Sequence, residues 1–296
     1  MLHPCPEPFA HWLYTDPRSG DALRLVPERG GLVAGWLCHG PWGAREILYF
    51  DAERFADPSR SVRGGIPVLF PLCGNLPGDT LELPQGRFPL AQHGFARDLP
   101  WSLEALQGES GVRLRLEDGE ATRPHYPFSF RLDLELRLEP GALAITAVVA
   151  HTGATGSAAM PFAFGLHPYL AVPALEQARL TGLPPRCLDQ AADAEADTAE
   201  RLGHLAQGVD LLADPQGAVA LYPGGGAPRV VLEVEPPFDL AVVWSDPPRP
   251  MVCLEPWTAG RGALVPGHPA AARRLVLEAG EERRLRCRYR VLPEES

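Results

Sequence analysis

Three stretches of this 296-residue sequence carry side chains able to move protons or hold anions. The first is Ser61-Val62-Arg63-Gly64-Gly65-Ile66-Pro67-Val68-Leu69-Phe70-Pro71, followed by Gln92-His93-Gly94-Phe95-Ala96-Arg97. The second is Phe162-Ala163-Phe164-Gly165-Leu166-His167-Pro168-Tyr169-Leu170, and the third is Val252-Cys253-Leu254-Glu255-Pro256-Trp257-Thr258-Ala259. All three break the alternation of their surroundings, and unusual residues on loops of a rigid scaffold are where sites tend to sit. Taken singly, each has a bland explanation. Arg63 before two glycines reads as a surface charge at a turn, and His93 and His167 among apolar residues read as satisfied core histidines. Glu255 is harder to dismiss. It ends a run that reads as buried, where a carboxylate is costly unless it is paired or functional. A structural ion pair with an arginine is its bland alternative.

Taken together, an imidazole and a carboxylate suit the ring opening of a hemiacetal. One group removes the proton of the anomeric hydroxyl while another protonates the ring oxygen, and the two exchange roles for closure. Groups on opposite sides of the ring can do this without metal, nucleotide or covalent intermediate. Imidazole fits because its ordinary pKa lies near neutral pH. Each well-placed acid or base contributes roughly 10²- to 10⁴-fold.

Such groups need a scaffold, and the pattern around them is that of strands. Phe130, Leu132, Leu134, Leu136 and Leu138 alternate with charged residues, turn at Pro140-Gly141 and resume as Leu143, Ile145, Ala147 and Val149. This predicts a hairpin with one wet and one dry face. Val112 to Leu116 repeats the alternation before the turn dipeptide Asp118-Gly119. Leu275–Leu277 and Leu285–Val291 flank Ala279-Gly280-Glu281-Glu282 as another expected hairpin, and 230–234 and 240–244 read as two more strands. Helical signals are few: a short helix within 189–205 and a single turn at 51–55. With 30 Gly and 33 Pro spread along the chain, no repeat and no Ser/Gly linker, the expected fold class is an all-β sandwich. Residues 1–296 are read as one domain.

Composition excludes several partners. A formal charge of −10 argues against nucleic acid or an anionic membrane surface. All 27 basic residues are arginine, so neither a Schiff-base lysine nor a phosphate-loop lysine exists, and anion recognition must come from guanidinium forks. Six scattered cysteines form no C-x-x-C pair, and no stretch approaches a membrane span. The N-terminus lacks a basic start and an apolar region, so no signal peptide is read. The expectation is a cytoplasmic monomer with reduced thiols, no cofactor and no metal site.

The ordered set R-G-G-I-P, Q-H-G-F-A-R, L-H-x-Y and C-x-E-P resembles the hexose-phosphate mutarotase branch of the aldose 1-epimerase superfamily, from about residue 20 to 290. The resemblance implies a galactose-mutarotase-like supersandwich of mainly antiparallel strands, with the site in a groove across one sheet. It implies His167 as general acid and Glu255 as general base. It further implies Arg63, Gln92, His93 and Arg97 as substrate-binding residues, the arginines taking sugar and phosphate, and Asp210 as a grip on sugar hydroxyls. The expected partner is a small-molecule sugar or sugar phosphate. Pro168 and Trp257-Thr258-Ala259 depart from the branch's pattern, which leaves a free aldose open as the substrate. Phosphate is placed ahead of it on the strength of Arg63 and Arg97. Two further readings stay open. A non-catalytic sugar-binding protein on the same fold predicts erosion of the acid–base pair. A glycoside-cleaving enzyme needs a second carboxylate, for which Asp210 is the candidate. Trp36, Trp42 and Trp101 either line a sugar-stacking surface or fill the core.

Overall fold

In the computed structural model, which describes residues 1–107 and 110–294, the alternation around Pro140-Gly141 folds as expected. Phe130–Glu139 pairs antiparallel with Ala142–His151, Glu139 lying opposite Ala142. Leu132, Leu134 and Leu136 are fully buried on the inner face. On the outer face Asp133 and Glu135 are also buried, under arginines from their own and the neighbouring strand. This hairpin is the centre of an eight-stranded sheet. Its spatial order is Arg179–Thr181, Val219–Tyr222, Arg229–Val234, Glu282–Leu292, Ala142–His151, Phe130–Glu139, Gly111–Glu117 and Ser102–Ala105.

A second eight-stranded sheet runs Ala194–Asp197, Arg186–Asp189, Val209–Ala213, Leu240–Ser245, Met251–Trp257, Gly165–Leu166 and Val68–Leu69, with Tyr169–Ala171 also pairing to Met251–Trp257. The two sheets face one another. The Tyr289 hydroxyl of the first donates to the Leu254 carbonyl of the second at 2.8 Å, and residues of both share one apolar core. A five-stranded sheet in chain order, from Leu2–Cys5 to Gly43–Glu46, is joined to the second sheet region by the bridges Val33–Ile66 and Leu48–Leu170. The all-β, mainly antiparallel class is therefore as expected. No helix among the described residues is long and apolar enough to cross a membrane.

One local expectation needs correction. Leu275–Leu277 does not form a hairpin with the last strand but pairs with Met160–Phe162. The reason is that both edges of Glu282–Leu292 are taken, by Ala142–His151 and Arg229–Val234. The short helix expected within 189–205 is Thr198–Leu202, capped by the Asp197 side chain on the Glu200 N–H, and Arg186–Asp189 pairs with Ala194–Asp197 before it. The sparse apolar stripe cannot hold a longer helix. After Asp118-Gly119 the chain turns, with the Thr122 N–H donating to the Gly119 carbonyl, and returns to the sheet at Phe130, whose N–H donates to the Asp118 carboxylate. The single turn at Ala52–Phe55, capped by Asp51, is as expected.

Candidate active site

The strand Met251–Trp257 sets the position of the chemistry. Successive side chains of a strand point to opposite faces, so Val252 and Leu254 enter the core between the sheets while Cys253, Glu255 and Trp257 face the other way. Across the register, Glu255 lies opposite Val242, and Cys253 opposite Trp244, which in turn faces Asp210. A pocket of about 280 Å³ opens over this face. Its walls include Arg63, Gln92, His93, Arg97, His167, Asp210 and Glu255. All seven residues expected from sequence are thus brought together.

His167 arrives from a crossing segment. Gly165–Leu166 pairs with Val68–Leu69, the His167 N–H donates to the Pro67 carbonyl at 3.0 Å, and Tyr169 then pairs with Cys253. The imidazole stacks on the Tyr169 ring, with centroids 4.8 Å apart and planes at 13°, and is flanked edge-on by His93 and Trp244. Its Nε2 lies 3.4 Å from Glu255 Oε1. The other carboxylate oxygen accepts from Trp257 Nε1 at 3.0 Å. His167 and Glu255 are therefore direct neighbours, where groups on opposite sides of a ring were expected.

Burial governs the charges here. It pushes the Glu255 carboxyl well above the usual range, opposed by the Trp257 hydrogen bond. Burial, helped by Arg97 and Arg63, holds the His167 imidazole down at about 3. Burial, then Arg97 and His167, likewise keeps His93 well below its usual value. Burial thus favours the neutral form of Glu255 and of both histidines.

The flanking loops are shaped by close approaches. His93 sits at φ 67°, its N–H donating to the Gly74 carbonyl at 2.7 Å while the Gly74 N–H donates to Nδ1 at 3.1 Å. With Nδ1 accepting, the neutral ring carries its proton on Nε2. Gly94 follows at φ 71°, where a Cβ would fall 2.2 Å from the Phe70 carbonyl oxygen, so no other residue fits the turn of Q-H-G-F-A-R. Arg97 donates to the Gln92 carbonyl at 2.9 Å. Arg63 lies over the Trp244 ring, its carbon 5.6 Å from the centroid. Arg63 Nη1 donates to Ser61 Oγ at 3.3 Å and the Val62 carbonyl at 3.4 Å, and both arginines make only long ion pairs, Arg63 at 3.9 Å from Asp246 and Arg97 at 3.8 Å from Asp98.

Sequence reasoning assigned no role to Tyr169, Gln190, Trp244, Trp257 or Arg261, which also line the pocket. Tyr169 and Trp257 stand in quoted motifs, next but one to His167 and Glu255. Gln190 and Arg261 had no motif signal; only the folded register shows them. Trp36 and Trp101 fill the core, and Trp42 packs against it. One group of metal-ligating type occurs among the described residues. A His167 nitrogen, Cys253 Sγ and a Glu255 oxygen lie within 4.8 Å of one another, so a metal there would occupy the atoms needed for proton transfer. A larger groove of about 590 Å³, lined by Phe9, Leu48, Phe50 and Val172 among others, holds none of the expected site residues.

The profile of the family described as Aldose 1-epimerase matches residues 24–290. A Salmonella typhimurium protein provisionally named glucose-6-phosphate 1-epimerase is 30% identical over 199 residues, spanning 66% of this chain and 58% of that one. The chain thus matches rather over half the length of this curated relative. Among solved structures, the Slr1438 protein of Synechocystis sp. PCC 6803 is 33% identical with a TM-score of 0.86, each chain covered to 96%. A galactose mutarotase-like protein from Lactobacillus casei shares the fold at 19% identity, with a TM-score of 0.76 over 98% of this chain and 100% of that one. The matched profile, the fold and the assembled pocket agree, and the chain belongs to the aldose 1-epimerase family.

Proposed function

We propose that the protein interconverts the α and β anomers of a hexose 6-phosphate by ring opening and closure. The observation that carries this reading is the contact between His167 Nε2 and Glu255 Oε1 on the floor of a pocket walled by unclosed arginine forks. Glu255, as carboxylate, takes the proton of the anomeric hydroxyl while His167, as imidazolium, protonates the ring oxygen. The bond from C1 to the ring oxygen breaks, and the open aldehyde rotates about C1–C2. On closure the ring hydroxyl returns its proton to His167 and Glu255 gives its proton to O1, so both groups end as they began. Gln92 and Asp210 hold hydroxyls, and neutral His93 offers its Nε2–H to a sugar oxygen.

With the neutral form of both groups favoured by burial, His167 must gain a proton before it can act as the acid. Arg63 and Arg97 are among the charges that hold His167 down, whereas Glu255 feels Arg261 before Arg97. A phosphate dianion seated on Arg63 and Arg97 offsets their field at the imidazole. Burial remains the larger cause, so the phosphate relieves only the smaller part of the shift that those two charges make. The relative's name supports a sugar phosphate, and the bidentate reach of two arginines supports it independently.

The test is anomer exchange followed by NMR on glucose 6-phosphate, glucose and galactose. Exchange accelerated most strongly for the phosphate is expected. Equal acceleration of all three assigns free aldoses instead, and acceleration of none leaves a sugar-binding protein.

A further inference from the structure

Beside the acid–base pair the pocket holds a second polar cluster that proton transfer does not use. It joins three strands or loops: Gln190 after Arg186–Asp189, Asp210 in Val209–Ala213, and Arg261 after Met251–Trp257. The Gln190 backbone N–H donates to the Asp210 carbonyl at 2.8 Å, and its side-chain Nε2 donates to Asp210 Oδ1 at 2.7 Å. A carboxylate only accepts, so this bond fixes which end of the amide is nitrogen. The opposite end, Oε1, is buried with no donor, on a residue that is 6% exposed. A buried carbonyl without a donor is rare unless a ligand completes it.

Arg261 is held differently from Arg63 and Arg97. One terminal nitrogen donates to Asp210 Oδ2 at 2.9 Å and the other to the Gln190 carbonyl at 3.2 Å. Each terminal nitrogen keeps a second N–H, and the buried Nε–H lacks a partner. The stem passes so close to the backbone that a Cβ at residue 74 would fall 2.3 Å from Arg261 Cγ. Gly74 thus gives Arg261 its path while its own N–H holds His93. Its remaining N–H donors lie beside two acceptors, Gln190 Oε1 and Asp210. Each oxygen of Asp210 accepts one bond from within the cluster and retains a lone pair.

From this we infer that Gln190, Arg261 and Asp210 form a clamp reading two neighbouring ring hydroxyls of the aldose. One hydroxyl donates to Gln190 Oε1. The next donates to Asp210 and accepts from an Arg261 N–H. The clamp rests on the epimerase reading above, and it adds Gln190 and Arg261 as substrate-binding residues that set the sugar's orientation over His167 and Glu255.

The experiment measures NMR anomer exchange of glucose 6-phosphate and its 2-, 3- and 4-deoxy analogues. For the wild-type protein, two analogues lacking adjacent hydroxyls are expected to lose about 10- to 100-fold in kcat/KM, while the remaining one is little changed. Gln190→Ala should raise KM for glucose 6-phosphate by a similar factor with a smaller change in kcat. It should cause no further loss on the analogue whose missing hydroxyl it reads. Arg261→Lys, which keeps a positive charge beside Asp210, should do the same for the adjacent position. Equal kcat/KM for all three deoxy analogues in the wild-type protein overturns the clamp whether or not the variants fold. So does a Gln190→Ala loss of the same size on every analogue, which marks a purely structural amide. A wild-type protein that exchanges no aldose overturns the epimerase reading and the clamp with it.

Discussion

Asp133 and Glu135 on one sheet and Glu255 on the other are carboxylates on central strands, all nearly inaccessible to water, yet their surroundings make them different reagents. Asp133 accepts from Arg115 and Arg131, and Glu135 accepts from Arg113 and Arg137, each at 2.8 Å for the latter pair. Burial pushes Glu135 up, but the two arginine bonds outweigh it and hold the carboxyl below the usual range. Glu255 has one indole N–H and one neutral imidazole, and burial wins. Guanidinium forks make a buried carboxylate a fixed anion; their absence leaves it able to take and release a proton.

The largest effect that sharpens this contrast lies in the pair itself. His167→Gln should lower anomer exchange by roughly 10²- to 10⁴-fold. Combined with Glu255→Gln it should be scarcely worse, since the two act as a unit. Losses that multiply would break the pair into independent contributors. Next, Arg97→Ala should cost glucose 6-phosphate about 10- to 100-fold in kcat/KM, as for a lost charged hydrogen bond, while leaving free glucose nearly unchanged. An equal loss on both sugars removes Arg97 as a phosphate ligand.

Smaller effects separate the two regions by stability. Glu135→Gln should leave exchange intact and lower unfolding free energy by about 1–2 kcal/mol at pH 7. Because its folded pKa is depressed, the wild-type advantage is present above the ordinary value of 4.5 and is lost as pH falls through the folded value. The same substitution at Glu255 should stabilise, by about 1 kcal/mol at pH 7. There the folded pKa is raised, so the wild-type carboxyl stabilises fully below 4.5 and loses that contribution as pH rises through the folded value. The gain from Gln should therefore shrink toward pH 4.5. Chemical denaturation at pH 7 and 4.5 checks both signs, and a destabilised Glu255→Gln protein would put the two carboxylates in one class.

The all-β class was legible because period-two alternation survives wherever one face is buried, as in 130–149. Pairing was less legible. The Leu275–Leu277 strand carries no mark of its partner, and only the occupied edges of Glu282–Leu292 exclude the local hairpin. At the site, the seven motif residues were readable, since tight glycine turns and a carboxylate after a buried run are local features. Gln190 and Arg261 were not, because their roles depend on a register that brings 190, 210 and 261 together. The neighbourly placement of His167 and Glu255 is likewise a product of two strands crossing, not of spacing along the chain.

The central claim is that Glu255 is the carboxylate which moves a proton while Glu135 is the one that does not. Exchange NMR of the anomers of glucose 6-phosphate tests it directly, with wild type, Glu255→Gln and Glu135→Gln compared at pH 7. The account predicts exchange lost in the first variant, by at least about 10²-fold, and retained in the second. Undiminished exchange in Glu255→Gln would contradict it.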